Sequence, residues 1–526
     1  MQQRTAPRSH HLLTPRQAPL HRLARNLPAS SARHAVADAT DASSSPLRGF
    51  SELPPEIVGC ISIFACDPGY LSPHNGDSEQ LQLTLQLVCK KWGQIITTTS
   101  RLWNVLDLKI SLNNEQDSQD SSLTVADSES MLRRAKSWLQ RAGNSPIVLD
   151  LLVVDPCIEA ETAKLRRRIF NFLSAYKFEE LSIVTFVPSI LDLNEYVESL
   201  YHVRKLSLKA SSPFPRQIRL LFDPLPLHFL THLLLDVELN GSYANLVSAF
   251  PWHQLYGLIL VIKGHPDSAP IILRQCTSLV DCTISTGGTM QGSMTFTERL
   301  EDIVFPCLQR LIIDNHVIGP VTNDIVQSIV ATKLESLKIF CMYRSSVSIY
   351  NAVEMMARRS GFQNSLRRLG LRNLRSAASL GKMLKLMPSL STLQLYRTTV
   401  SEETLRFLSD GSLAPRLERV RFSECSIKPD ALLDTVQNRL IKAGTGDMTS
   451  FTHVSLIRTI SQITDEQQER ATCLQEAYGV EIRLSGSDIG SSERSNDFFS
   501  SANEDEEEDE EVDVVSEDDS DSSMEK

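Results

Sequence analysis

His228 and His232, four residues apart, are the first pair whose type and spacing could hold a metal. A helical zinc site needs both imidazoles on one helix face and a glutamate directly after the first. Here Phe229 follows His228, Pro224 and Pro226 precede it, and a strand pattern begins at Leu230. A loop and a strand are expected there, not a metal-binding helix. Cys276 and Cys282 lie six apart without a second pair. None of the ten cysteines (Cys60, Cys66, Cys89, Cys157, Cys276, Cys282, Cys307, Cys341, Cys425, Cys473) forms a CxxC motif. GxxxxGK[ST], GxGxxG and GxSxG are absent from the sequence. The expectation is therefore a protein with no catalytic residue, no metal and no cofactor, and not an enzyme. Scattered thiols read as small buried hydrophobes of a reducing compartment, cytoplasm or nucleus. No secretory apolar stretch opens the chain.

Binding chemistry is better represented. Arg310, Lys338, Arg368, Arg372, Arg397, Arg419, Arg421 and Arg458 recur at related intervals, with only Asp314 and Glu424 opposing them. A guanidinium fork donates paired, charge-assisted hydrogen bonds to carboxylate or phosphate. These side chains form one surface only if a repeated element holds them on one face.

The repeat is apolar-x-x-apolar-x-apolar. It occurs at Phe178/Leu181/Ile183, Val203/Leu206/Leu208, Leu230/Leu233/Leu235, Leu255/Leu258/Leu260 and Leu279/Cys282/Ile284. It continues at Leu308/Leu311/Ile313, Leu334/Leu337/Ile339, Leu366/Leu369/Leu371, Leu390/Leu393/Leu395, Leu417/Val420/Phe422 and Phe451/Val454/Leu456. The first ten begin 24 to 32 residues apart and the last step is 34. That period accommodates one strand and one helix per unit, so the expectation is an α/β solenoid stabilised by stacking. A doubly wound enzyme also alternates strands and helices, but it would show a glycine-rich phosphate loop. Helices are expected over 131–142, 321–331, 348–359 and from 401, and one opens at the capping box Thr464-Asp465-Glu466-Gln467. Strands are expected over 146–154 and 480–484. The interleaved strand residues line a concave face. Its first units are nearly balanced in charge (Glu180, Lys205, Lys209, Asp236, Asp281). Its last six carry the eight basic residues above and are expected to bind an acidic or phosphorylated segment of a substrate protein.

The net charge of −11 is unevenly distributed. Residues 1–37 carry six arginines and no acid, and residues 504–526 carry 14 acids and Lys526. Removing +6 and −13 from the total leaves −4 for the body. Residues 1–48 read as a disordered basic leader. Their arginines also suit a mitochondrial transit peptide, but Pro7, Pro15, Pro19 and Pro28 oppose its helix. Residues 485–526 read as a disordered acidic tail. No apolar run of 18 residues occurs, so no membrane-spanning helix is expected, and no nucleic-acid partner either.

Residues 49–108 form a different module. Leu53-Pro54-Pro55-Glu56-Ile57 opens a helix with Ile57, Ile61 and Phe64 on one face. A second helix aligns Leu85, Val88, Trp92 and Ile95, and Leu102-Trp103 closes the stretch. Three short helices make too small a core to bury all their apolar faces. Leu53, Pro54, Glu56, Ile57 and Ile61, then Leu85, Val88-Cys89-Lys90-Lys91-Trp92 and Leu102-Trp103, resemble an F-box. With a C-terminal leucine-rich-repeat-like array, the chain resembles fungal F-box proteins in particular. Ser62 departs from the family, which often has Phe after the Ile at 61. The resemblance implies a substrate receptor of an SCF-type cullin–RING ubiquitin ligase. Its F-box would dock the Skp-family adaptor through Leu53, Pro54, Glu56, Ile57, Ile61, Leu85, Val88, Cys89, Trp92, Leu102 and Trp103. The alternative is a repeat scaffold acting outside any ligase.

In the tail, Val512-Asp513-Val514-Val515 followed by Ser516-Glu517-Asp518-Asp519 resembles a SUMO-interacting motif. Val512, Val514 and Val515 would add a strand to a SUMO sheet edge. The expected order is thus leader 1–48, F-box 49–108, polar linker 109–130, solenoid 131–484 and acidic tail 485–526.

Overall fold

The computed structural model describes residues 53–66, 69–71, 81–111, 125–154, 159–185, 197–210, 227–239, 247–264, 268–286, 300–315, 320–341, 347–373, 377–444, 446, 448–459 and 462–486. The basic leader, the acidic tail from residue 487 and the SUMO-type motif lie outside the described residues; residues 485–486, expected in the tail, end the last strand.

Fifteen parallel strands form one sheet, in which each strand pairs with its neighbours in chain order. This is a leucine-rich-repeat-type α/β solenoid. The register explains why the template recurs. Leu106, Leu149, Leu181, Leu206, Leu233, Leu258 and Cys282 stand opposite one another across successive strands. The row continues through Leu311, Leu337, Leu369, Leu393, Val420, Val454 and Ile482. Every residue of this row is buried, in one continuous core that also takes the helices' apolar stripes. Alternate strand residues point to the other face of the sheet. Full burial of one leucine is worth about 1.5–3 kcal/mol, so each unit leans on its neighbours.

Helix ends follow the sequence signals. Ser401 accepts a hydrogen bond from the Thr404 amide at 3.1 Å and caps Glu402–Ser409. Thr464 and Gln467 form the expected capping box ahead of Asp465–Tyr478. Gly143, Gly361 and Gly479 follow helices with positive φ, where a side chain would be strained. The helix expected over 321–331 is Pro320–Ser328; Ile329–Val330 then pairs with Ile303–Val304 as a small separate sheet.

Two boundaries differ from expectation. The solenoid begins before residue 131, since Val105–Ser111 and even Gly69–Leu71 are strands of the main sheet. Leu106, Leu108 and Ile110 alternate inward, which makes 105–111 a strand rather than the start of a linker. The helix after it is Val125–Ala142, so residues 112–124 are all that the 109–130 linker retains, and they lie outside the described residues.

The N-terminal module contains α1 (Pro55–Ala65), α2 (Leu81–Val88) and α3 (Lys90–Thr98), then a short 3-10 turn, Ser100–Leu102. The single face Leu85/Val88/Trp92/Ile95 is not formed. Cys89 is extended (φ −161°, ψ 166°) and its sulfur accepts the Trp92 amide, which starts a new helix. In α1 the inward residues are Val58 and Ser62, whereas Ile57 and Ile61 face out. The buried Ser62 hydroxyl donates to the Val58 carbonyl at 2.8 Å, so the departure from the family pattern leaves no unmet polar group.

Among the described residues no helix is long and apolar enough to cross a membrane.

Candidate binding surfaces

The helical module closes onto the sheet through tryptophan. Trp103 is fully buried, and its ring meets Trp138 edge-on with centroids 4.6 Å apart. The Arg141 guanidinium lies 4.5 Å from the Trp103 ring centre. Leu102 and Trp92 are buried as well. Of the residues assigned to adaptor docking, these three are buried in the chain and position the module. Cys89 caps α3, and Lys91 donates to the Leu53 carbonyl at 3.1 Å, tying α3 to the start of α1. Leu53 and Leu85 are half-buried; Pro54 and Glu56 are exposed.

Large apolar side chains of α1 and α2 also remain outside. Ile57 and Ile61 of α1 are 46% and 41% exposed, and Leu87 and Val88 of α2 are 85% and 60% exposed. α1 packs its other side on α3 and the turn, and α2 packs on α3. Leu87 is the member the sequence pattern missed, because α2 was read as part of a longer helix with another face inward.

The second surface is the sheet face opposite the core. Its register sets three rows over strands Arg368–Arg372, Thr392–Tyr396 and Arg419–Ser423. They read Arg368–Thr392–Arg419, Gly370–Gln394–Arg421 and Arg372–Tyr396–Ser423. Lys338 adjoins Gly370 on the preceding strand. A Cβ at Gly370 would stand 3.1 Å from the Lys338 Cγ, so glycine makes room for the lysine stem.

The eight basic residues are not equivalent. Arg310 makes a bidentate pair with Asp281, with Nη2 2.7 Å from Oδ2. Arg397 donates to Glu424 at 2.6 Å, and the Arg458 guanidinium lies 3.9 Å from the same carboxylate. The Tyr396 hydroxyl donates to Glu424 at 2.7 Å. Burial pushes the Glu424 carboxyl up, but Tyr396 and Arg397 outweigh it and hold the group below its ordinary range. The Tyr396 hydroxyl is pushed up by burial and by donating to Glu424. Arg372 and Arg397 lie 4.6 and 5.0 Å from the Tyr396 ring centre, a cation–π arrangement. All eight lie on strands of the main sheet or at its rim. Arg310, Arg397 and Arg458 meet carboxylates; Lys338, Arg368, Arg372, Arg419 and Arg421 lie on the strands between them. Asp281 opposes Arg310 across the register, a pairing that counting charges by halves conceals.

Asn373, Arg397, Glu424 and Arg458 all have left-handed backbone, with φ from 49° to 61°. They follow or end four successive strands. The Asn373, Arg397 and Glu424 amides each donate to the neighbouring strand at 2.8–2.9 Å. The turn they share sets Arg397, Glu424 and Arg458 side by side at the rim.

At the other end of the sheet, Asp107 and Asp150 stand in register on the same face. Burial first, and then the Asp150 charge, push the Asp107 carboxyl up to about 6. His232 meets Thr231 at 2.9 Å through Nδ1, while His228 is exposed beside Tyr201. Burial pushes the Cys276 thiol up to about 12 and raises that of Cys282 as well. Among the described residues no three His, Cys, Asp or Glu side chains gather as a metal site would require.

No family model matches the chain, and no curated protein matches it. Among solved structures it is similar to an internalin from Listeria monocytogenes, at 12% identity and a TM-score of 0.29, over 66% of this chain and 92% of that one.

Proposed function

We propose that this protein is the substrate-recognition subunit of an SCF-type cullin–RING ubiquitin ligase. The helical module docks a Skp-family adaptor, and the free face of the sheet captures a substrate protein. The chain itself carries out no catalysis. The observation that carries this reading is the exposure of Ile57, Ile61, Leu87 and Val88 on a module whose tryptophans are already buried. Apolar side chains left out on two helices of so small a unit favour completion by a partner. The F-box-like residues 53–103 supply the identity of that partner.

Co-purification of the full chain with a Skp-family adaptor tests the reading. Ile57→Asp with Val88→Asp removes the adaptor, while the sheet variants described below keep it. Equal recovery with and without the two aspartates sinks the ligase assignment.

One observation favours a second reading, a repeat scaffold outside any ligase. Leu102 and Trp103 join the solenoid core, so the helices also serve as its N-terminal cap, which any solenoid needs. A chain that folds normally and recovers no adaptor supports the scaffold.

A further inference from the structure

We infer that the last strand of the sheet is a self-association edge, on which a second copy of this chain pairs antiparallel about a two-fold axis at Ile482. The inference stands apart from the ligase and scaffold readings. It uses neither the helical module nor the basic residues of the sheet face.

The first observation is an open ladder. Glu481–Gly486 pairs with His453–Thr459 on one side, and among the described residues no strand pairs with its other side. The Glu481 amide donates to the Thr452 carbonyl at 2.9 Å. Main-chain direction alternates along a strand, so Glu481, Arg483 and Ser485 turn their N–H and C=O groups toward that neighbour. Val480, Ile482 and Leu484 turn theirs outward. Proteins usually blunt such an edge with lysine, proline or an inward-pointing charge. This strand contains no lysine and no proline, and its inward side chains Ile482 and Leu484 are apolar.

The second observation is that the charges of the strand fit their own copy. With the axis at Ile482, outward groups meet outward groups: Ile482 faces Ile482, and Val480 faces Leu484 in both directions. About six main-chain hydrogen bonds then close between the copies. Glu481 stands opposite the second copy's Arg483, and Arg483 opposite its Glu481. These are non-hydrogen-bonded positions, where Cα atoms approach to about 4.5 Å and side chains meet most closely. Within one chain Arg483 Nε already donates to Glu481 at 2.6 Å, and the other Glu481 oxygen lies 3.0 Å from His453 Nδ1. Two such pairs back to back make a closed ring of alternating charges. Moving the axis one residue either way sets Glu481 against Glu481 or Arg483 against Arg483, so the charges select one register. On the core side the buried Ile482 and Val480 and the half-buried Leu484 carry the apolar row from one copy into the next. A self-complementary edge of this kind closes as a dimer.

The test is sedimentation of the full chain over a wide range of concentration. Wild type passes from monomer to dimer mass. Arg483→Glu sets glutamate against glutamate, and Glu481→Arg sets arginine against arginine. Each raises the dissociation constant about tenfold or more. An equimolar mixture of the two variants again opposes every glutamate to an arginine, and it restores the dimer. Damage to the fold would not be repaired by mixing. Wild type that stays monomeric at every concentration overturns the inference, as does a dimer indifferent to Arg483→Glu. Variants that weaken the dimer but do not recover on mixing also overturn it. So does mass that grows past two copies, the mark of head-to-tail pairing through another edge.

Discussion

Trp103 donates its indole hydrogen to the Ile96 carbonyl at 2.8 Å. One side chain thereby fastens the end of α3 to the core of the first repeats. The helical module is not a bead on a linker; it is continuous with the sheet it precedes. Trp103→Ala should cost about 3–5 kcal/mol, and a denaturation curve should show the module and the first strands lost together. Loss of the helices alone, with the sheet transition unmoved, would contradict the continuity.

The core row makes a graded comparison possible. Leu337→Ala, in the middle of the sheet, should destabilise by about 2–5 kcal/mol. Ile57→Ala, exposed on α1, should change stability by less than about 0.5 kcal/mol. Chemical denaturation of the two variants side by side checks the assignment of one leucine to the core and one isoleucine to a docking face.

Arg439 is fully buried, and no carboxylate pairs with it among the described residues. It donates to the carbonyls of Leu408, Ala414, Pro415 and Thr449 and lies 4.7 Å from the Phe451 ring centre. Arg439→Met takes this donor from the Leu408 and Thr449 carbonyls, while Ala414 and Pro415 keep the Leu417 and Thr449 amides, and should cost roughly 3 kcal/mol. Arg439→Lys should rescue little, because an ammonium cannot reach carbonyls spread around a planar fork. The denaturation midpoints order the three proteins; a near-native lysine variant would refute the clamp.

Two carboxylates should give opposite pH signatures. Glu424 is held below its ordinary range, so its contribution is present above the unfolded value and lost as pH falls through the folded one. The stability advantage over Glu424→Gln should therefore disappear on acidification below about pH 4.5. Asp107 is pushed up to about 6, so its ionised form disfavours the fold. Stability falls as pH rises from its unfolded value through about 6, and Asp107→Asn should stabilise at neutral pH by roughly 1 kcal/mol after allowance for solvent screening. Thermal melts across that range test both signs.

The solenoid was legible because each template residue faces the core at a fixed place in its strand. The strand Val105–Ser111 follows the rule as well: Trp103, Leu106 and Leu108 fit the same template. It is hidden because Trp103 also closes the helical motif. The break at Cys89 was not legible, since a helix through 85–95 satisfies the same apolar spacing and only the extended backbone at Cys89 ends it. At the sheet face the arginines were visible as types, but their partners were not. Arg310 finds Asp281 29 residues away, and Arg397 finds Glu424 27 residues away, through register that no local pattern encodes.

In the proposed function one chain joins an adaptor-docking helix pair to a separate capture face. Titration of a purified Skp-family adaptor onto the full chain tests it most directly, comparing wild type, Ile57→Asp with Val88→Asp, and Arg419→Gln. Wild type and Arg419→Gln should bind tightly, and the aspartate pair should lose about a hundredfold or more, as expected when two charges are forced into an apolar interface. No binding by the folded wild-type chain, or equal binding by all three, would contradict it.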